Sequence, residues 1–329
     1  MVNHTQEAKV VVMGGGTGMP AVLRGLKHLP IDITTIVTVA DDGGSTGTIR
    51  ENVDMPAPGD VRNVIASMST IDTYLNELFQ YRFDGMEGLS GHSLGNLALL
   101  AMRNITGDFA IAIDKVAEIF QVKGKVLPVV NASVTLHAET TDGEIISGES
   151  KITGSNHSKI ERVYITPNHI QAYPLAIKAI HEADLIIISP GSLYTSILPN
   201  LIVPGIAEAM KQSYAKVMYV CNMMTQHGET DGYDVADHVH AINQHVEKEI
   251  IDTVVVHNEP FNDEILQHYA EELAEPVQLN YQGLELLNIE VIEENLLVQD
   301  RALIRHDERK LAKLIQKVIG KLNSSNVMK

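Results

Sequence analysis

The sequence predicts an α/β fold: a three-layer, doubly wound, Rossmann-like and mostly parallel sheet with a small antiparallel hairpin insertion. Three observations predict it. Residues 9–13 (KVVVM) and 33–40 (ITTIVTVA) are short apolar, largely β-branched runs, the pattern of strands buried on both faces. An amphipathic stretch at about 20–29, with Leu23 and Leu26 inward, lies between them, which makes a βαβ unit with a right-handed crossover. Later apolar runs at 185–189 (LIIIS), 217–222 (VMYVCN) and 251–257 alternate with helical pattern, as at 206–211.

The remaining elements follow in order. Residues 61–69 read as a helix with Asp60 in the N-cap position, and 96–102 (NLALLAM) as a buried helix segment. Between 126 and 146 two extended segments flank Thr141-Asp142-Gly143, and Asp-Gly is a strong hairpin signal. The insertion is expected to span about 126–165. A C-terminal helix is expected at about 307–323, with Leu311, Leu314, Ile315, Val318 and Leu322 on one face and Lys310, Lys313, Lys317 and Lys321 on the other. No repeat or low-complexity linker interrupts the pattern, so one domain over 1–329 is expected.

Composition narrows the function. Among 329 residues, 42 acids oppose 25 lysines and arginines, a net charge of −17, which argues against a non-specific nucleic-acid binder. The single cysteine, Cys221, allows no internal disulfide framework, fits a reducing compartment and sits in an apolar strand as a core thiol. The N-terminus has no apolar signal region, and no apolar run approaches the ~20 residues of a membrane span. A cytoplasmic protein is expected. His238, His240 and His245 read as a solvated helix face and not as a metal set.

Five motifs carry candidate chemistry. Gly14-Gly15-Gly16-Thr17-Gly18 opens the first helix and contains G-x-G-x-x-A at Gly16, Gly18 and Ala21. Glycines let a diphosphate approach the backbone, and the helix start supplies N–H groups. No Gly-Lys-Ser/Thr of a P-loop follows. Asp41 and Asp42, with Gly43, Gly44 and Ser45, end the second strand, where an acid accepts from ribose hydroxyls and a second could hold Mg²⁺ against a diphosphate. Strand alternation lets one of the two face the ligand and does not say which. Residues 56–63 (PAPGDVRN) add Asp60 as a cap or second metal ligand, and Arg62 as a phosphate or structural partner. Residues 90–96 (SGHSLGN) match G-x-S-x-G formally, without the preceding strand that a nucleophile elbow needs; Ser93 and Asn96 are better read as neutral hydrogen bonders to a ligand. Residues 189–196 (SPGSLYTS) bring Gly191, Ser192 and Thr195 to the carboxyl end of a strand, the ligand edge of such sheets. Residues 222–230 are polar and also follow a strand, and Arg301, Arg305 and His306 form a small cationic group within reach of a diphosphate.

Taken together, GGGTG (14–18), VADDGGSTG (39–47), PGDVRN (58–63), LSGHSLGN (89–96), SPGSLYTSILPNL (189–201) and TQHGETDGY (225–233) resemble the YvcK-type gluconeogenesis factors of the CofD-like superfamily, over about residues 9–322. The resemblance implies a cytoplasmic bacterial regulator of cell shape and wall synthesis during gluconeogenic growth, with UDP-N-acetylglucosamine as ligand, no required cofactor and no evident catalysis. It also implies a regulatory protein partner, and a homo-oligomer is possible. The enzymatic relatives, the 2-phospho-L-lactate transferases, clamp a nucleotide diphosphate with Mg²⁺. This chain shares their glycine loop and Ala-Asp-Asp strand end and departs directly afterwards, which leaves the transferase as the alternative reading. The ligand-binding candidates are Gly14, Gly15, Gly16, Thr17, Gly18, Asp41, Asp42, Ser45, Asn63, Ser93, Asn96, Gly191, Ser192 and Thr195; Asp42 and Asp60 are the candidate metal pair, and no catalytic residue is assigned.

Overall fold

The computed structural model describes residues 7–154, 157–300 and 303–327. Its strands are β1 (Ala8–Gly14), β2 (Ile31–Val37), β3 (Lys125–Pro128), β4 (Thr135–Thr140), β5 (Ile145–Ser147), β6 (Ile160–Thr166), β7 (Leu185–Ile188), β8 (Lys216–Val220), β9 (Thr253–His257), β10 (Glu290–Glu294), β11 (Leu297–Asp300) and β12 (Leu303–His306). Its helices are α1 (Gly18–Leu26), α2 (Gly44–Asn52), α3 (Gly59–Met68), α4 (Thr73–Gln80), α5 (Leu94–Thr106), α6 (Phe109–Ile119), α7 (Glu149–Gly154), α8 (Pro174–Glu182), α9 (Leu198–Leu201), α10 (Ile206–Gln212), α11 (Val235–Val246), α12 (Asp263–Glu271), α13 (Tyr281–Leu286) and α14 (Glu308–Val327), and a π-helical turn covers Leu193–Ile197.

Seven parallel strands form the main sheet in the order β10-β9-β8-β7-β1-β2-β3. The apolar runs become its centre: Val10, Val11, Val12 and Met13 of β1 and all of β7 are buried, because helices cover both faces. From β1 the chain winds outward through β2 to β3, then returns to lay β7 on the other side of β1. The winding therefore reverses between β1 and β7, and the loops leaving the two strands diverge into a crevice. Helix α14 closes against α1, where Gly25 lets the backbone approach: a Cβ there would stand 2.2 Å from the Glu308 carbonyl oxygen.

The hairpin is larger than its turn signal predicts. Strands β4 and β5 pair antiparallel around the Asp142-Gly143 turn, and β6 pairs with the other side of β4. The result is a three-stranded sheet, β5-β4-β6, covering 135–166, while β3 belongs to the main sheet. An isolated two-stranded hairpin is marginal in water, and β6 covers the edge it would leave open. Leu136, Ala138 and Thr140 alternate inward along β4.

Two other expectations are corrected. Pro58, not Asp60, occupies the N-cap position of α3; Asp60 lies in the first turn and its carboxylate accepts a hydrogen bond from the Gly16 backbone instead. His238 is buried in α11, with Nδ1 donating to the Asp234 carbonyl, and His245 accepts the Val163 N–H, so these two belong to a packed face and only His240 faces outward. Cys221 is buried, and burial pushes its thiol up to about 12. No helix among the described residues is long and apolar enough to cross a membrane.

Candidate functional site

The crevice at the β1/β7 boundary holds a cavity of about 280 Å³. Its walls come from three strand-to-helix segments and the start of a helix: Gly16 after β1, Asp41 with residues 43–46 after β2, Thr195 with Ser196 in the π-helical turn after β7, and Gly59, Asp60, Arg62 and Asn63 at the start of α3. Helix α5 adds Asn96, and α7 adds Glu149. The first turns of α2 and α3 both meet this space, so backbone N–H groups and positive helix ends converge on it.

Asp41 and Asp42 part company here. Asp41 lines the cavity, accepts the Gly43 N–H at 2.9 Å and lies so close to Gly59 that a Cβ there would stand 2.4 Å from Oδ2. Asp42 points away and accepts the Ser150 N–H at 2.8 Å, in the first turn of α7. It is an anchor for the short helix that carries Glu149 over the cavity. Arg50 supports the arrangement from α2: Nη1 donates to the Asp41 carbonyl at 2.8 Å and Nη2 to Ser133 and the Val134 carbonyl.

Asp41, Asp60 and Glu149 therefore share one cavity, and burial sets the chemistry of Asp60 and Glu149. Burial, reinforced by the charge of Asp41, raises Asp60 to about 6 against the opposing pull of the Gly16 hydrogen bond and Arg62. Burial, then the charges of Asp41, Asp60 and Asp42, raises Glu149 to about 8. The same cavity also has cationic and neutral lining. Arg62 is 9% exposed; its Nη2 donates to Asn63 at 2.8 Å, and its Nε has no hydrogen-bond partner. Arg82 lines the same cavity. Asn96 is 2% exposed; its amide donates to Ser45 at 3.1 Å, and its Oδ1 has no partner.

The glycine loop is occupied mainly by its neighbours. A Cβ on Gly14 would stand 2.1 Å from Ser189 Oγ, on Gly15 2.4 Å from Thr38, and on Gly18 2.2 Å from the Pro190 carbonyl oxygen. Only Gly16, at φ +62°, lines the smaller cavity. Asn200 adds a bolt by donating to the Gly14 carbonyl at 3.1 Å. The loop after β7 is tied as firmly. Gly191 and Asn222 exchange two hydrogen bonds, Ser192 donates to Gln226 at 2.6 Å, and Thr195 donates to Glu229 at 2.9 Å. Glu229 also accepts the Tyr194 N–H, and burial raises its pKa. The polar stretch after β8 thus holds the ligand edge in place. Ser93 caps α5, accepting the Asn96 N–H at 3.3 Å, and no strand precedes it, so no nucleophile elbow exists there.

A second cavity, about 790 Å³, shares Asn63 with the first and runs along α1 past Thr17 and Gly18. Arg24 and Lys27 of α1, Arg305 and His306 of β12, Tyr269 of α12 and Glu77 of α4 line it. Burial, with Arg24 beside it, lowers the pKa of Lys27; burial holds His306 down at about 4, so it is neutral. Arg301, grouped with these by sequence, lies outside the described residues.

The crevice thus brings together Gly16, Asp41, Ser45, Asp60, Asn63, Asn96 and Thr195 in one cavity and Thr17, Gly18 and Asn63 in the other. Gly14, Gly15, Asp42, Ser93, Gly191 and Ser192 line neither and act one step behind. Sequence reasoning missed Glu149, Arg82, Thr46, Ser196 and Tyr269. Glu149 directly follows the hairpin in sequence and carries no motif of its own. For Mg²⁺, which binds through one or two carboxylates plus phosphate oxygens, Asp41 and Asp60 supply suitable donors. Among the described residues no group of three or more His, Cys, Asp or Glu side chains is arranged to hold an ion. The donor set therefore fits a cation shared with a phosphate and not a protein-only cage.

Comparison with known proteins identifies the family and the fold. The family described as 2-phospho-L-lactate transferase CofD matches residues 10–297. The chain is 51% identical over 310 residues to the gluconeogenesis factor of Bacillus subtilis (strain 168), covering 94% of this chain and 98% of that one. It is 44% identical over 304 residues to the gluconeogenesis factor of Listeria monocytogenes, covering 92% and 93%. A crystal structure of a Bacillus halodurans protein superposes with a TM-score of 0.92 at 49% identity, over 94% of this chain and 100% of that one. By sequence and by fold, the chain belongs to the CofD family, among the gluconeogenesis factors of YvcK type.

Proposed function

We propose that this protein is a regulator that binds UDP-N-acetylglucosamine in the crevice between β1 and β7 and supports cell shape and wall synthesis during growth on gluconeogenic carbon in the bacterial cytoplasm. One observation carries the reading: in a chain of net charge −17, Arg24, Lys27, Arg62, Arg82 and Arg305 all line two adjoining cavities at the switch point. Arg24 is ion-paired with Glu308, while Lys27, Arg62, Arg82 and Arg305 have no ion pair among the described residues, and such a concentration against the overall charge favours an anion. Cavities of about 280 and 790 Å³ suit a ligand of nucleotide-sugar size, and their carboxylates and amides suit its hydroxyls. The printed name of the relatives agrees with the metabolic role. A regulator needs no turnover: a ligand that prefers one partner-bound state shifts the population toward it. The reading includes a partner protein that senses occupancy.

The test is calorimetric titration with UDP-N-acetylglucosamine, GDP and NAD, each with and without Mg²⁺. Saturable binding of the UDP-sugar without Mg²⁺ is the expected result. Binding of GDP that depends on Mg²⁺, with no affinity for the UDP-sugar, would replace the regulator by a transferase reading, in which Asp41 and Asp60 would hold the cation. The clustering of Asp41, Asp60 and Glu149 is what keeps that second reading in view.

A further inference from the structure

We infer that the smaller cavity is an anion subsite for a phosphoryl group that carries, or lies beside, a hydroxyl, with Arg62 as its cation and Asn96 as the acceptor of the hydroxyl. The inference rests on two orphaned atoms and on the helix end between them, and it stands whether or not the ligand is a UDP-sugar.

Arg62 is the first. A guanidinium keeps its charge in a protein, and a buried one is normally paired with a carboxylate. Arg62 has no ion pair among the described residues, its Nε has no acceptor, and its one side-chain hydrogen bond goes to the neutral Asn63. Burial and the like charge of Arg82 both push its pKa down, while Asp60 and Asp41 act in the opposite sense from a greater distance than an ion pair. The side chain is not free to leave for solvent. Its stem lies against the start of α5, where a Cβ on Gly95 would stand 2.7 Å from Arg62 Cγ.

Asn96 is the second. It directly follows Gly95, its amide nitrogen is used by Ser45, and its Oδ1 is buried without a donor. A metal ion would suit Asn96 and repel Arg62. A carboxylate would suit Arg62 and leave Asn96 Oδ1 unsatisfied. A phosphoryl group with a P–OH, or with a sugar hydroxyl next to it, satisfies both. The nine-residue helix α2 starts at the same cavity; its N-cap, Gly43, has no capping side chain, and nothing lies within 4 Å of the position a Cβ on Gly44 would take. First-turn N–H groups of α2 therefore meet the same anion.

The experiment is thermal unfolding of the full chain against inorganic phosphate, with sodium chloride at matched ionic strength as the control. Wild type is expected to show a saturable rise in midpoint, and sulfate, which offers no hydroxyl at neutral pH, a weaker one. Arg62→Gln and Asn96→Asp are each expected to weaken phosphate about tenfold. Arg62→Gln risks the fold through its packed stem, so Arg82→Gln, at an exposed position, is measured beside it and is expected to weaken phosphate by a smaller factor. No saturable response in wild type, or unchanged affinity in both Asn96→Asp and Arg82→Gln, would overturn the subsite. Repeating the titration with saturating UDP-N-acetylglucosamine separates the sources. A lost response assigns the phosphoryl to the nucleotide sugar itself, and an additive one to a separate phosphorylated small molecule; both support the subsite. Phosphate binding without any UDP-sugar binding would overturn the proposed function and leave this inference standing.

Discussion

The chain has two glycine-rich turns from strand to helix, 14–18 after β1 and 43–47 after β2, and they use glycine in opposite ways. In the first, Gly14, Gly15 and Gly18 sit where any Cβ would collide with Ser189, Thr38 or the Pro190 backbone. The glycines let three loops touch, and Asp60 takes a Gly16 hydrogen bond that a phosphate would otherwise receive. In the second, Gly43 and Gly44 meet almost nothing and border the smaller cavity, and only Gly47 packs against backbone, the Asp42 carbonyl. A glycine motif thus marks a close approach of something to the backbone, and only the tertiary structure says whether that something is the protein or its ligand.

The largest expected effect tests the contrast directly. Gly18→Ala should destabilise the fold by about 1–3 kcal/mol in urea unfolding, since the added methyl meets a backbone carbonyl that cannot yield. Gly44→Ala has open space and only the strain of φ +44°, so about 1 kcal/mol is expected, together with weakened anion binding. The reverse ranking would remove the distinction between the loops.

A finer comparison separates the two aspartates. Asp41→Asn should weaken UDP-N-acetylglucosamine about tenfold in calorimetry, because Asp41 lines the cavity. Asp42→Ala should cost about 1 kcal/mol of stability through the lost anchor of α7 and change affinity less than Asp41→Asn does. Equal losses of affinity would place Asp42 at the ligand after all.

A further effect is in pH. Glu149 titrates at about 8 in the folded chain against an ordinary 4.5, so between these values the folded state binds a proton that the unfolded state has released. Its contribution to stability is complete below pH 4.5 and is lost as the pH rises through 8. Glu149→Gln should therefore melt later than wild type above pH 8 and close to it at pH 4; matching curves at both ends would mean that the carboxyl is solvated.

Much of this was legible beforehand, for identifiable reasons. The strands 9–13, 33–40 and 185–189 announce themselves because a strand buried on both faces is apolar without alternation, and each appears within three residues of its place. Asp41, Asn63, Asn96 and Thr195 were legible because residues at strand ends and helix starts in such a fold border the crevice. Glu149, Arg82 and Tyr269 were not. They reach the crevice from an insertion, an irregular loop and a distant helix, each brought there by packing that leaves no local pattern.

The sequence by itself determined the layered parallel fold, the reversal that opens the crevice and the family to which the chain belongs, because periodicity and motif spacing are local properties carried by contiguous residues. Tertiary structure alone decided which aspartate faces the cavity, which glycines serve packing and which cations reach it. Those outcomes depend on hydrogen bonds and collisions between residues far apart in the chain: Asp42 with Ser150, Gly18 with Pro190, Asp60 with Gly16. A carboxylate goes to whichever N–H the fold presents to it, and no spacing along the chain records that choice.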